Sequence, residues 1–154
     1  MTNNDILRRI RYAFDYNDSK MMAIFALAGS PVTREQLSAW LKKDDDPAFQ
    51  ECADINLAIF LNGLISYRRG KKEGAQPEPE QHLTNNIIFR KLKIALDLKA
   101  EDILAILALS NVHISPHELS AFFRKPEHRH HRECKEQILR NFLQGVQLKY
   151  RVSR

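Results

Sequence analysis

The sequence predicts an all-α protein: two tandem four-helix repeats, packed about a pseudo-two-fold axis into one compact body. Three observations predict it. Apolar residues recur at helical spacing along most of the chain, and no segment shows the period of two that a half-buried strand requires. Sliding the 154-residue chain by 82 positions sets Thr2 to Arg69 on Thr84 to Arg151 without a gap, and 22 of the 68 aligned pairs are identical. Between the copies, residues 70–82 form a Gly, Pro and Glu stretch without apolar periodicity, as expected of a linker. The domains are therefore a first helical repeat over 1–69, a linker over 70–82 and a basic second helical repeat over 83–154. A repeat of roughly 70 residues has too little core to be robust alone, so the two are expected to pack on each other.

Each element can be read twice. The first helix carries Ile6, Leu7, Ile10, Ala13 and Phe14, matched by Ile88, Phe89, Leu92, Ala95 and Leu96, and Asn3-Asn4 and Asn85-Asn86 are expected to cap it. The second helix, with Met21, Met22, Ile24, Phe25 and Leu27 or Ile103, Leu104, Ile106, Leu107 and Leu109, is apolar on most sides and is expected to be the most buried. Gly29 and Asn111 fall at its end, the residue types that best tolerate a left-handed cap. Thr33 with Gln36, and Ser115 with Glu118, fit a capping box at the start of the third helix, and Pro116 suits its first turn. That helix presents Leu37, Trp40 and Leu41, or Leu119, Phe122 and Phe123. The fourth presents Leu57, Phe60, Leu61 and Leu64, or Leu139, Phe142, Leu143 and Val146, with Gly63 and Gly145 at matched mid-helix positions. Such a glycine costs about 1 kcal/mol relative to Ala, and a close helix crossing is the expected compensation.

The segments Asn3-Asn4-Asp5-Ile6-Leu7-Arg8, Phe60-Leu61-Asn62-Gly63-Leu64-Ile65, Asp102-Ile103-Leu104-Ala105-Ile106-Leu107 and Arg132-Glu133-Cys134 are spread over nearly the whole chain. In them the sequence resembles the YehS-like bacterial family, whose members carry a duplicated domain of unknown function. The resemblance implies the repeat architecture and supplies no catalytic residues. The segment His128-Arg129-His130-His131 is not part of the family pattern.

The two copies differ in three places. Net charge is zero over 1–69, −1 over the linker and +6 over 83–154, so the whole excess of 24 basic over 19 acidic residues belongs to the second repeat. The loop between the third and fourth helices is acidic in the first copy, with Asp44, Asp45 and Asp46, and basic in the second, with His128, Arg129, His130, His131 and Arg132. On the fourth helix, Ile55, Ala58, Ile59 and Ile65 form a second apolar stripe where the other copy has Gln137, Arg140, Asn141 and Gln147. The stripe either packs on the other repeat or the linker, or forms an exposed patch for self-association or a protein partner.

These differences set the candidate sites. Arg124, Lys125, Arg129, Arg132, Lys135 and Arg140 could hold nucleic acid or another acidic partner, with the second and third helices forming a helix-turn-helix. His130, His131 and Cys134 are the weak candidates for a metal such as Zn²⁺. However, Cys52 has no such histidines beside it, so Cys is more simply a small buried residue of both copies, and no metal or other cofactor is expected.

No phosphate-cradling Gly loop, nucleophile motif or His-Glu metal motif is present, and the matched Asp15 and Asp97 have no companion base, so no enzymatic activity is expected. The expected function is that of a helical binding module or adaptor engaging a protein through the unlike faces of its repeats, with a nucleic-acid-binding regulator as the alternative. The apolar stretch from Met21 to Gly29 is roughly half of what crosses a bilayer, and the first five residues carry neither region of a secretion signal. A cytoplasmic, membrane-free location and two reduced thiols follow as expectations.

Overall fold

In the computed structural model, which describes residues 1–151, the first repeat folds as α1 (Asn3–Phe14), α2 (Asp18–Leu27), α3 (Arg34–Leu41) and α4 (Asp54–Arg69). The second folds as α5 (Asn85–Ala95), α6 (Ala100–Leu109), α7 (Pro116–Phe122) and α8 (Glu136–Tyr150). The last three residues assigned to the second repeat, 152–154, lie outside the described residues. No strand occurs among the described residues.

Within each repeat the second helix packs on the fourth, α2 on α4 and α6 on α8. The crossing is closest at the matched glycines. A Cβ on Gly63 would stand 2.0 Å from the Ile24 carbonyl oxygen, and one on Gly145 would stand 2.1 Å from that of Ile106. Absence of a side chain is thus what lets the backbones meet. The second helix is not the most buried of its repeat: α4 buries most in the first and α5 in the second. Only Met21, Ile24 and Phe25 of α2 are buried, whereas α4 buries Leu57, Ala58, Phe60, Leu61, Asn62, Gly63 and Leu64. The short side chains of Ala23, Ala26 and Ala105 let α2 and α6 turn an apolar face outward at little cost.

The repeats join through α4 with α5 and through α1 with α8, two contacts that exchange under the 82-residue shift. This exchange is the signature of a pseudo-two-fold axis. Both pairs run parallel, as their ends show. At one end the Leu83 N–H donates to Asp54 at 2.8 Å, and its counterpart is the Met1 amine against Glu136. The Asn3 amide and the Leu83 N–H hold the Asp54 carboxyl below its ordinary range. At the other end Arg69 pairs with Asp97 at 2.5 Å and Arg151 with Asp15 at 3.6 Å. Asp15 and Asp97 sit at φ 55° and 53°, so these matched carboxylates close α1 and α5 in the left-handed region.

The caps differ from the sequence expectation at two places, the first being the start of α1 and α5. Thr2 and Thr84, not the asparagines, cap α1 and α5, accepting from the N–H groups of Asp5 and Ile87. Asn4 is buried and clamps the loop before α4: its amide donates to the carbonyls of Trp40 (2.9 Å) and Gln50 (2.8 Å) and accepts from the Cys52 N–H (3.0 Å). Asn86 does the same for Phe122, Arg132 and Cys134 at 3.0, 2.8 and 2.9 Å. Asn3 and Asn85 add a bond each to the Cys52 and Cys134 carbonyls.

At the third helix, Ser115 and Glu118 complete a reciprocal box behind Pro116. The first-repeat box is half-made, since Thr33 accepts from the Gln36 N–H while the Gln36 side chain bonds Gln50 instead. Gly29 at φ 78° and Asn111 at φ 64° take the left-handed turn their composition predicts.

Candidate functional site

The two parallel-helix grooves are equivalent by the pseudo-two-fold, and only one is covered. Over α4 and α5 runs the linker. Its Pro77 and Pro79 border a void of only about 20 Å³ together with Ala28 at the end of α2 and Ile59, Asn62 and Ser66 of α4. Glu80 reaches Lys91 at 3.1 Å, and the buried Lys91 also donates to Asn62 Oδ1 at 2.6 Å. Burying a lysine requires such a set of partners.

Among the described residues no segment runs over α1 and α8, and a cleft of about 530 Å³ opens there. Spacing of three and four residues puts Asp5, Arg8, Arg9 and Tyr12 on the flank of α1 beside its buried face, and Arg140, Gln144 and Gln147 on the flank of α8. Arg9 and Gln144 stand where the other groove has Lys91 and Asn62. Arg8 is engaged by Asp5 and by the Lys42 carbonyl at 2.8 Å. Burial alone would push the Asp5 carboxyl up, but bonds from Thr2 and the charge of Arg8 hold it below its ordinary range. Arg140 pairs with Glu136 at 3.4 Å, and its Nε is shielded from solvent without a partner among the described residues. Arg9 has no ion pair among the described residues, which leaves the cleft with an uncompensated guanidinium.

The sequence-predicted basic residues separate into two groups. Arg124, Lys125, Arg129 and Arg132 lie on the α7–α8 loop and Lys135 is the N-cap of α8, whereas Arg140 belongs to the cleft. The loop keeps the backbone of its acidic counterpart. His128, His131 and Arg132 donate to the carbonyls of Lys125, His128 and Ala121, as Asp46, Phe49 and Gln50 donate to those of Lys43, Asp46 and Ala39. The same fold therefore displays opposite charge in the two repeats.

A helix-turn-helix is not formed in its usual dimensions. Connections of six residues, 28–33 and 110–115, replace the usual turn of three or four, and α7 ends at Phe122, before Arg124 and Lys125.

The metal candidates do not converge. His131 Nε2 lies 3.4 Å from the Asn86 amide, His130 Nε2 accepts from Arg129, and Cys134 is buried with its N–H on Asn86. No three His, Cys, Asp or Glu side chains among the described residues gather into a metal-holding group. Burial pushes both the Cys52 and the Cys134 thiol up to about 12. In the apolar stripe, Ala58 is fully buried and Ile59 and Ile65 pack half-buried on the core, while Ile55 is half-buried at the start of α4.

Sequence reasoning did not single out Arg9, Gln144, Lys91 or Glu80. A signal was present: Asn62 is an amide inside an otherwise apolar helix centre, and Gln144 keeps an amide at the matched position.

A family described as Protein of unknown function (DUF1456) matches residues 3–70 and again 85–151. The chain belongs to this family. The chain is also 45% identical to the uncharacterized protein YehS of Escherichia coli (strain K12) over 155 aligned positions, covering 100% of the chain and 99% of that protein. No solved structure matches the chain. The two matches fall one on each repeat of this chain, and no described helix is long and apolar enough to cross a membrane.

Proposed function

We propose that the protein is a non-enzymatic helical binding module that engages a protein partner through the unlike faces of its two repeats. The observation that carries this is the unequal fate of equivalent grooves, one filled by the chain's own linker and the other open, with an uncompensated Arg9. The buried, protonated thiols and the arginine-paired Asp15 and Asp97 support a role without covalent or acid–base chemistry. A cytoplasmic location is part of the proposal.

A second reading, binding of nucleic acid, is favoured by the exposed Lys125, Arg129, Arg132 and Lys135 of the second repeat. Affinity capture from the source cell, with and without nuclease, separates the two. The first reading expects a protein partner that survives nuclease and is lost with Arg9→Glu. Capture that disappears with nuclease, and in vitro binding to mixed oligonucleotides that weakens steeply with salt and needs the loop cations, would establish the second instead.

A further inference from the structure

The covered groove shows what an occupant of the open one must look like. Over α4 and α5 the occupant is the segment Gln76-Pro77-Glu78-Pro79-Glu80, which is neither helix nor strand, with its prolines at the flank of α4 beside the end of α2 and one carboxylate on a cation that an amide also supports. Prolines fix such a segment in an extended form before it docks, so little entropy is lost on seating it. Over α1 and α8 the pseudo-two-fold supplies the same cation and amide as Arg9 and Gln144. The cation is now a guanidinium, which can bind a carboxylate through two parallel N–H bonds. A second guanidinium, Arg140, stands where α4 has the buried Ala58, and its Nε lacks a partner among the described residues.

We infer that the α1–α8 cleft binds an extended, proline-containing acidic peptide segment of another protein, one glutamate side chain seating on Arg9 as Glu80 seats on Lys91. This deepens the protein-binding reading and rests on it. The binding is ionic in its selectivity and extended in its shape. A segment lacking carboxylates leaves Arg9 unpaired and Arg140 with Glu136 alone, and a helical segment does not reproduce the linker's course.

The chain supplies its own probe. A labelled peptide spanning residues 73–83, a version with its three glutamates replaced by glutamine, and a mixed single-stranded oligonucleotide are titrated into the full chain and followed by fluorescence anisotropy. Amide chemical-shift mapping locates the site. The expected result is saturable binding of the acidic peptide with shifts along α1 and α8. Affinity should drop about tenfold or more for the glutamine peptide and for Arg9→Gln, and drop by a smaller factor for Arg140→Gln. Lys125→Gln on the loop should leave it unchanged, and thermal melts confirm that each variant is folded.

No saturation by about 1 mM peptide, equal binding of the glutamine peptide, or indifference to Arg9→Gln overturns the inference. Oligonucleotide binding that displaces the peptide and depends equally on Arg9 overturns it in favour of a general polyanion site. A dimer in light scattering that Arg9→Gln dissolves overturns it in favour of a second copy's linker. If the peptide fails while an Arg9-dependent protein partner survives nuclease in the capture experiment, only the chemistry assigned to the segment is wrong. Loss of both removes the protein-binding reading as well.

Discussion

The groove between α4 and α5 and the groove between α1 and α8 descend from the same contact, yet they have been put to different use. Both keep parallel helices, an arginine on an aspartate at one end, and a cation beside an amide at the centre. In the covered groove the surroundings are Ala58, Ile59 and Ile65, residues that gain from being roofed over. In the open one they are Arg140, Asn141 and Gln147, residues that tolerate water. The difference teaches that the duplication preserved whatever holds backbone to backbone and released the side chains on the helix flanks.

The strongest way to test that equivalence is at the helix crossings. Gly63→Ala and Gly145→Ala each place a methyl group on a carbonyl oxygen that cannot move without its helix, so each should cost about 3 kcal/mol or more in chemical unfolding. Unequal losses would mean that the two repeats do not share one packing. Next come the clamps. Asn4→Ala and Asn86→Ala each strand two buried or half-buried carbonyls and one amide N–H, and a loss of about 2–3 kcal/mol is expected from either.

These clamps also mark where the fold could and could not be read in the sequence. The helices and their buried faces follow from periodicity, and the left-handed turns at Gly29 and Asn111 follow from composition. The glycine crossing was inferable because two copies agreed. Asn4 and Asn86 misled because an asparagine just ahead of an apolar run has the look of a cap, while their true partners lie 36 to 48 residues away in sequence. Thr2 and Thr84, matched in register one step earlier, were the caps. The cleft was illegible for a related reason. It depends on α1 lying parallel to α8, a contact between the two extremes of the chain, and on a linker that sequence alone describes only as featureless.

Titration offers a subtler comparison. The thiols of Cys52 and Cys134 are raised from an ordinary 9.0 to about 12, so the unfolded chain releases these protons first. Stability they contribute is complete below pH 9 and lost as pH rises from 9 towards 12. Cys52→Ala and Cys134→Ala should each flatten that alkaline limb in pH-dependent melts, and a thiol reagent should label the native protein far more slowly than the unfolded chain. At the acid end the sign reverses. Asp5 and Asp54 lie below their ordinary 3.8, so their contribution is complete above that value and lost as pH falls beneath it.

The smallest effects belong to the paired arginines. Arg69→Gln should cost well under about 1 kcal/mol, because its bridge to Asp97 is open to solvent. Arg151→Gln should cost more, since Arg151 donates to the Tyr12 carbonyl at 2.6 Å where Arg69 reaches the matched Ile94 carbonyl only at 3.5 Å, and it also lies 3.7 Å over the Tyr12 ring. Melting curves of the two variants, measured side by side, would show whether the ends of the two grooves have diverged as far as their centres.

The parallel pairing of α4 with α5 and of α8 with α1 makes the contact between repeats isologous, the kind that two identical subunits form. Here the subunits are tethered, and the tether over residues 71–78 is exposed along its length. Tethering sets an effective concentration in the millimolar range for such a short connection. Cutting it with a protease would turn a unimolecular fold into a heterodimer whose melting temperature depends on dilution.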